Sequence, residues 1–505
     1  MAPDAAGGGA WLRLDRRSLL VTVQLTGGVA FAAGVPTVLG LANAMALGVA
    51  CSWVVAGALL LIGGGVAVDA LRLRHSRYRV GDERVELREG VLFVKHRSLH
   101  RERVRAVDLI ANPLLRVLGL VKVRIGTGEQ SSAQESALEL VPVRRAEGER
   151  LRRELLRRAA TGAADADGPL AALDRSWIRY APVSFVTPVI ALSAGGAVMQ
   201  VSEWFQAQQA VISWVGGLFS GVSIAVMVLV LAAVVLVVGA VGSLGLWVEM
   251  WWNYRLDREP GGTLRVRRGL LTTRSISLEE ARLRGVDVVE PLGLRLAGAA
   301  RVDAVATGLR SRDEDSHAEA NTLLPAAPRA LADQVAARVL REPVTPTGTP
   351  LTPHPVAARS RRLRWAVAAA LAPALVLVLL GALLGLPVLM WLGAGCAAVL
   401  LPGLGWLARD AYRGLGHALG DEYLVVRSGT VRRSTVALRR GGVIGWRIKQ
   451  SVFQRRAGLL TVCATTAAGA QAYSAYDMAE AEGLEFAERA VPGLLTPFLE
   501  RGPLR

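Results

Sequence analysis

Three pairs of glycines, Gly90 and Gly119, Gly269 and Gly298, Gly429 and Gly458, are each separated by 29 residues. Apolar side chains recur at matching places inside those intervals: Leu99, Leu278 and Leu438, then Val104, Leu283 and Val443, then Val107, Val286 and Trp446. Arg116, Arg295 and Arg455 stand three residues before the second glycine each time. Equal spacings with a shared apolar register define three diverged copies of one supersecondary unit. Whatever the chain folds into, it must use that unit three times.

Each copy follows a long apolar block. No charged residue occurs from Ser18 to Val68, only Glu203 between Tyr180 and Val248, and none from Trp365 to Ala408. A membrane-crossing helix needs about 20 apolar residues, so each block has room for two helices and a turn. Its apolar core is too long for a cleavable leader in the first block. The expected organisation is a disordered, basic N-terminus over residues 1–17, a transmembrane hairpin over 18–75, and module one over 76–160. A linker over 161–180, a hairpin over 181–252 and module two over 253–342 follow. A Pro/Thr linker over 343–358, a hairpin over 359–412 and module three over 413–500 complete the chain. The fold class is six transmembrane helices in three hairpins plus three β-rich domains.

The 59 Lys and Arg against 42 Asp and Glu, with a mean hydropathy of +0.36, fit a chain in which charge and apolarity are segregated. Arginines such as Arg72, Arg74, Arg175, Arg359, Arg361 and Arg409 flank the blocks, while the turns inside them carry no Lys or Arg. The positive-inside rule then puts both termini and all three modules on the cytoplasmic side of the cell membrane. Cys51, Cys396 and Cys463 have no paired spacing, which predicts neither a disulfide framework nor a zinc site.

Within module one, alternation at Val85, Leu87, Val91 and Phe93 predicts two strands turning at Glu89–Gly90. Further strands are expected at Val121–Ile125 and Leu138–Leu140. A short helix or turn is expected at Pro113–Gly119, and a closing helix with Leu151 and Leu155 on one face.

No nucleophile elbow, phosphate loop, zinc-protease helix or dinucleotide fingerprint is present, so no enzyme and no cofactor is predicted. The spans carry no ionisable residue to mark a transport path; a component of a membrane transport or export system is the alternative function. Binding is the leading one. Arg116, Arg295 and Arg455 have two readings: an anion or acidic-lipid contact near the membrane, or a structural role bonding carbonyls at the end of the short helix, which weighs more. Arg97, Arg101 and Arg103 in module one, and Arg432 and Arg433 in module three, form denser basic patches for the inner leaflet or an acidic partner. Membrane lipids and a partner membrane protein or self-association are the expected partners. Nucleic acid is not, because no aromatic residues interleave with the arginines.

The run through Val104, Val107, Arg116, Gly119, Leu120, Val123 and Ile125 resembles the bacterial pleckstrin-homology-like domain, and Arg455, Gly458, Leu459 and Val462 fit it in module three. Module two departs, with Ala299 and Ala300 after Gly298 and acidic residues near Asp313–Asp315. Three such modules, each behind a membrane hairpin, resemble the YdbT-like PH-domain membrane proteins. The resemblance implies a seven-stranded barrel capped by a helix for each module, cytoplasmic-membrane localisation and no known chemistry.

Overall fold

The equal glycine spacing has a backbone cause. Gly90, Gly269 and Gly429 sit at hairpin turns with φ of 123°, 110° and 101°, and Gly119, Gly298 and Gly458 end a short helix with φ of 68°, 69° and 62°. L side chains rarely adopt these angles. At Gly269 a Cβ would stand 1.9 Å from the carbonyl oxygen of Thr272. Both ends of the interval are therefore fixed by backbone geometry.

The computed structural model describes residues 11–15, 17–41, 44–81, 83–90, 94–104, 106–126, 137–156, 168–183, 186–205, 207–259, 262–307 and 321–498. Val91, Phe93 and Asp313–Asp315 lie outside the described residues. The chain divides into two units, Met1–Ala281 and Arg282–Arg505. The division falls inside copy two.

In the first unit, β1 (Leu12–Arg13) precedes the helices α1 (Ser18–Leu41) and α2 (Leu47–His75). Copy one then runs β2 (Arg77–Val80), β3 (Arg84–Glu89), β4 (Lys95–His100), a 3₁₀ turn, β5 (Ala106–Ala111), α3 (Pro113–Val117), β6 (Leu120–Gly126), β7 (Ala137–Arg144) and α4 (Arg145–Leu156). After it come β8 (Gly168–Ala172), α5 (Val186–Trp204), α6 (Gln208–Leu218), α7 (Ile224–Trp251), β9 (Arg255–Glu259), β10 (Thr263–Arg268) and β11 (Thr273–Glu279).

The second unit holds β12 (Leu283–Pro291), α8 (Leu292–Leu296), β13 (Ala299–Ala306), β14 (Thr322–Pro328) and α9 (Arg329–Leu340), which finish copy two. The helices α10 (Val356–Leu384) and α11 (Pro387–Arg413) lead into copy three. That copy is β15 (Gly416–Leu419), β16 (Tyr423–Ser428), β17 (Arg432–Arg439), β18 (Gly445–Lys449), α12 (Val452–Arg455), β19 (Leu459–Thr465), β20 (Ala472–Ala479) and α13 (Glu480–Ala490). All three copies share one order: three strands, a 3₁₀ turn, a strand, a short helix, two strands and a closing helix.

In copy one, Tyr78, Val85, Leu87 and Leu99 from the first three strands meet Val107, Val123, Ile125 and Leu140 from the last three, with Leu151 of α4 closing the cluster. Copy three repeats this with Leu424, Val436, Leu438, Val462 and Phe486. Fully burying one such side chain contributes about 1.5–3 kcal/mol, so these clusters hold the two half-sheets of a copy together.

The half-sheets are not completed within their own copy. The sheets are β1-β2-β3-β4, then β7-β6-β5-β11-β10-β9-β8, then β14-β13-β12-β17-β16-β15, then β18-β19-β20. The two largest each join strands of successive copies, which differs from the self-contained barrel that the resemblance implies. The outer edge of β5 is satisfied by a strand of the next copy, as buried backbone groups require.

Among the described residues, five helices are long and apolar enough to cross a membrane: Ser18–Val38 within α1, then α2, α7, α10 and α11. The expected count was six. The 19-residue α5 is not one of the five, and it carries Gln200, Ser202 and Glu203 in its last turns. Two stretches expected to be linkers are built into the fold. Gly168–Ala172 pairs with β9 as an edge strand, since a short apolar run beside an open edge gains ladder hydrogen bonds. In the Pro/Thr stretch, His354 is buried, with Nδ1 2.7 Å from the Tyr476 carbonyl oxygen and Nε2 3.2 Å from Nδ1 of His417.

Candidate interaction surface: the joints between copies

Two strand pairs fasten copy to copy. In the first unit Ala106–Ala111 of β5 lies antiparallel to Thr273–Leu278 of β11, with Ala106 opposite Leu278. In the second unit Gly285–Pro291 of β12 lies antiparallel to Arg432–Leu438 of β17, with Gly285 opposite Leu438. Counted from the first glycine of each copy, the two registers are identical. A one-residue slip would turn every side chain to the other face, so an identical register means one joint used twice.

The shared-register arginines belong to these joints. Arg116, at the end of α3, donates through Nη1 to the carbonyl oxygen of Leu270, in the hairpin turn of copy two. That turn is itself held by the end of α7: Glu249 accepts from the backbone N–H of Leu271 at 3.0 Å and of Thr272 at 2.8 Å. Arg295, at the end of α8, donates to Asp410 of α11 at 2.7 Å, and Arg433 donates to the other oxygen of Asp410 at 3.2 Å. In both joints the arginine of one copy reaches the place where the next copy leaves its helical hairpin. Arg455, the equivalent residue of copy three, is exposed and makes no ion pair among the described residues.

The other basic candidates separate. Arg101 braces copy one: its Nη1 donates to the Gly81 carbonyl oxygen at 3.0 Å and its Nη2 to that of Glu154 at 2.8 Å, in the last turn of α4. Arg440 does the same in copy three, donating to the carbonyl oxygens of Ala490 and Arg489. A cation at a helix C-terminus completes the orphaned carbonyls there. Arg97 sits half-buried on β4, an outer strand of its sheet, and the side chain of Arg103 lies outside the described residues. Arg432 is exposed beside Pro291 at the end of the second joint, 4.0 Å from Asp303.

Sequence reasoning missed the acidic members. Asp108 and Asp287 occupy the same repeat position in β5 and β12, at the heart of each joint. Burial pushes the Asp108 carboxyl up to about 6, against the pull of Arg124 and Arg274, and its Oδ1 is sealed without a hydrogen-bond partner among the described residues. Burial, helped by Asp303 directly across the ladder, pushes Asp287 up to about 6 as well, although Ser434 donates to it. A cue was available: the third member of that column is Arg447.

A second cluster locks α4 against copy two. Arg152, 4% exposed, donates to Glu259 of β9 at 2.8 Å, to Ser277 of β11 at 3.2 Å and to Glu149 at 3.2 Å. Arg265 closes the ring, reaching Glu259 at 3.0 Å and Glu149 at 2.7 Å. Burial pushes the two carboxyls up, but the guanidiniums outweigh it and hold both below the usual glutamate range.

The raised Asp108 carboxyl gives a signed pH prediction. Its folded form holds the proton more tightly than the unfolded chain, so its stabilisation is complete below pH 3.8 and is lost as pH rises through about 6. Asp108→Asn is expected to stabilise the first unit at pH 7 by roughly 1–2 kcal/mol, and to flatten its stability between those two values. Denaturation of the purified protein across that range checks it; an unchanged profile would refute the assignment.

Among the described residues no group of three or more His, Cys, Asp or Glu side chains is placed to hold a metal ion. The site is a set of backbone edges and charged clasps that fasten one copy to the next within each unit. No curated protein and no solved structure matches the chain. The bacterial PH domain family matches it three times, over residues 29–159, 210–343 and 363–488. Each match begins in or beside an apolar block and reaches the closing helix of a copy. With most of its length covered, the chain belongs to the bacterial PH domain family.

Proposed function

We propose that this is a non-enzymatic membrane scaffold whose PH-like copies are interaction modules, fastened edge to edge and held at the cytoplasmic face of the cell membrane. The observation that carries the reading is the repeated joint: two copy-to-copy strand pairs in one register, each clasped by the same arginine. Flanking arginines and uncharged turns support the orientation. α5 is taken as the sixth span because it packs closely along α7, where a Cβ on Gly239 would lie 2.4 Å from the Thr187 carbonyl oxygen. The array's remaining surface binds a partner membrane protein or acidic headgroups. Tethering raises effective concentration, so individually weak contacts suffice.

Crosslinking of the intact protein in its own membrane, read by mass spectrometry, tests this. Links between copies one and two and between copies two and three are expected, together with links to a dedicated membrane partner. Thiols introduced by Val117→Cys and Phe498→Cys, both at strongly exposed positions, are expected to label only from the cytoplasmic side. Intra-chain links alone, with labelling from outside, would refute the scaffold reading.

A further inference from the structure

Among the described residues, copy three has the donor half of a joint and no acceptor. Its strand β18 is the repeat equivalent of β5 and β12, yet among the described residues it pairs only with β19 and forms an outer edge of its sheet. Arg447, Ile448 and Lys449 are exposed along it, while Trp446 packs inward, 6.4 Å from the ring of Phe486. Arg455 stands where Arg116 and Arg295 clasp an incoming copy, and Arg456 beside it is also exposed.

We propose that β18 is an open third joint that receives an acidic extended segment of a partner protein by strand addition. The proposal rests on reading the modules as interaction modules, and it names the site and the kind of partner. Continuity with the two filled joints supplies the geometry: the same strand, in the same place in the repeat, takes a third-strand neighbour both times. Charge selects the occupant. The position filled by Asp108 and Asp287 in the closed joints is Arg447 here, and Lys449 follows on the same face.

A second copy of this chain would offer β4, the outer strand of copy one. In the joint register that puts Arg97 opposite Arg447 and Lys95 opposite Lys449, and like charges directly across a ladder are destabilising. Neither closed joint contains such a pair; the second instead sets Glu290 opposite Arg433. The basic edge thus works against open-ended self-assembly. A segment with carboxylates at alternate positions meets both cations, and its intervening apolar residues lie over Ile448.

The test uses the full chain in nanodiscs of neutral phosphatidylcholine and a labelled peptide of about ten residues alternating glutamate and valine. Binding is expected, with amide exchange across Gly445–Lys449 slowed at least about tenfold and β5 and β12 unchanged. Arg447→Glu combined with Lys449→Glu, on an exposed edge, is expected to weaken peptide binding at least about tenfold, and the lysine–valine peptide should not bind the native protein. Peptide binding without β18 protection, or binding indifferent to the charge reversal, would overturn the proposal. So would protection of β18 by phosphatidylglycerol nanodiscs with no effect of peptide, which would make this edge a lipid contact. Rapid exchange at β5 and β12 in the unliganded protein would instead count against the scaffold reading itself.

Discussion

Replacing Arg152 by methionine should destabilise the first joint by roughly 3–5 kcal/mol, the usual cost of removing one member of a buried ion cluster. Methionine keeps much of the side-chain volume and removes the charge, leaving Glu149 and Glu259 to share Arg265 alone. The loss has a defined pH dependence. Both carboxyls are held below the glutamate range in the folded state, so the stability they lend is present above pH 4.5 and disappears as pH falls. Native and variant proteins should therefore converge on acidification. Hydrogen exchange in Ala106–Ala111 and Thr273–Glu279 reads the joint directly. Arg153→Met is the control: that side chain is exposed and, among the described residues, bonds the Glu149 carbonyl oxygen at 3.3 Å, so a change within about 0.5 kcal/mol is expected. Equal effects from the two variants would sink the assignment.

Gly285→Val should open the second joint and leave the first intact. A Cβ at Gly285 would lie 1.9 Å from the Ala437 carbonyl oxygen and 3.0 Å from the Leu438 Cα, both backbone atoms of the facing strand. No rotamer change relieves that contact; the strands must separate. A cost of about 3 kcal/mol or more follows, at the upper end for overpacking because the obstacle is main chain. Exchange should quicken in Gly285–Pro291 and Arg432–Leu438 while Ala106–Ala111 keeps its protection. Gly441→Ala, where a Cβ meets nothing within 4 Å, should be close to neutral. If the valine variant retains full protection in β12 and β17, the close approach described here is wrong.

The repeat was legible in the sequence because its marks are backbone constraints that only glycine satisfies well, at Gly90, Gly269 and Gly429 and again at Gly119, Gly298 and Gly458. The five long apolar helices among the described residues were legible because uncharged runs of that length have few other uses. The joints were not. An edge strand is defined by unpaired N–H and C=O groups, which every residue but proline carries, so nothing in Ala106–Ala111 names β11 as its neighbour. Arg116 was singled out, but its acceptor is a carbonyl, that of Leu270, which leaves no trace in side-chain identity. Arg295 was equally visible, and its partner Asp410 was hidden by a separation of 115 residues. Arg101 looked like part of a surface patch because its neighbours are basic; only the position of α4 shows that it caps a helix. The column of Asp108, Asp287 and Arg447 was in plain view, and its charge changes sign in copy three, where the equivalent strand lies at a sheet edge among the described residues.

The order in which the chain is made gives the joint register a temporal meaning. The clasp between Arg116 and Leu270 spans 154 residues, including an entire apolar hairpin. At roughly 5–20 residues per second, β5 waits about eight to thirty seconds on the ribosome before β11 exists to cover it. During that interval the nascent protein shows one bare, strand-ready edge, and β12 repeats the wait for β17. Synthesis thus passes through the same unfinished shape twice, and β18, the equivalent strand of copy three, presents that edge again among the described residues.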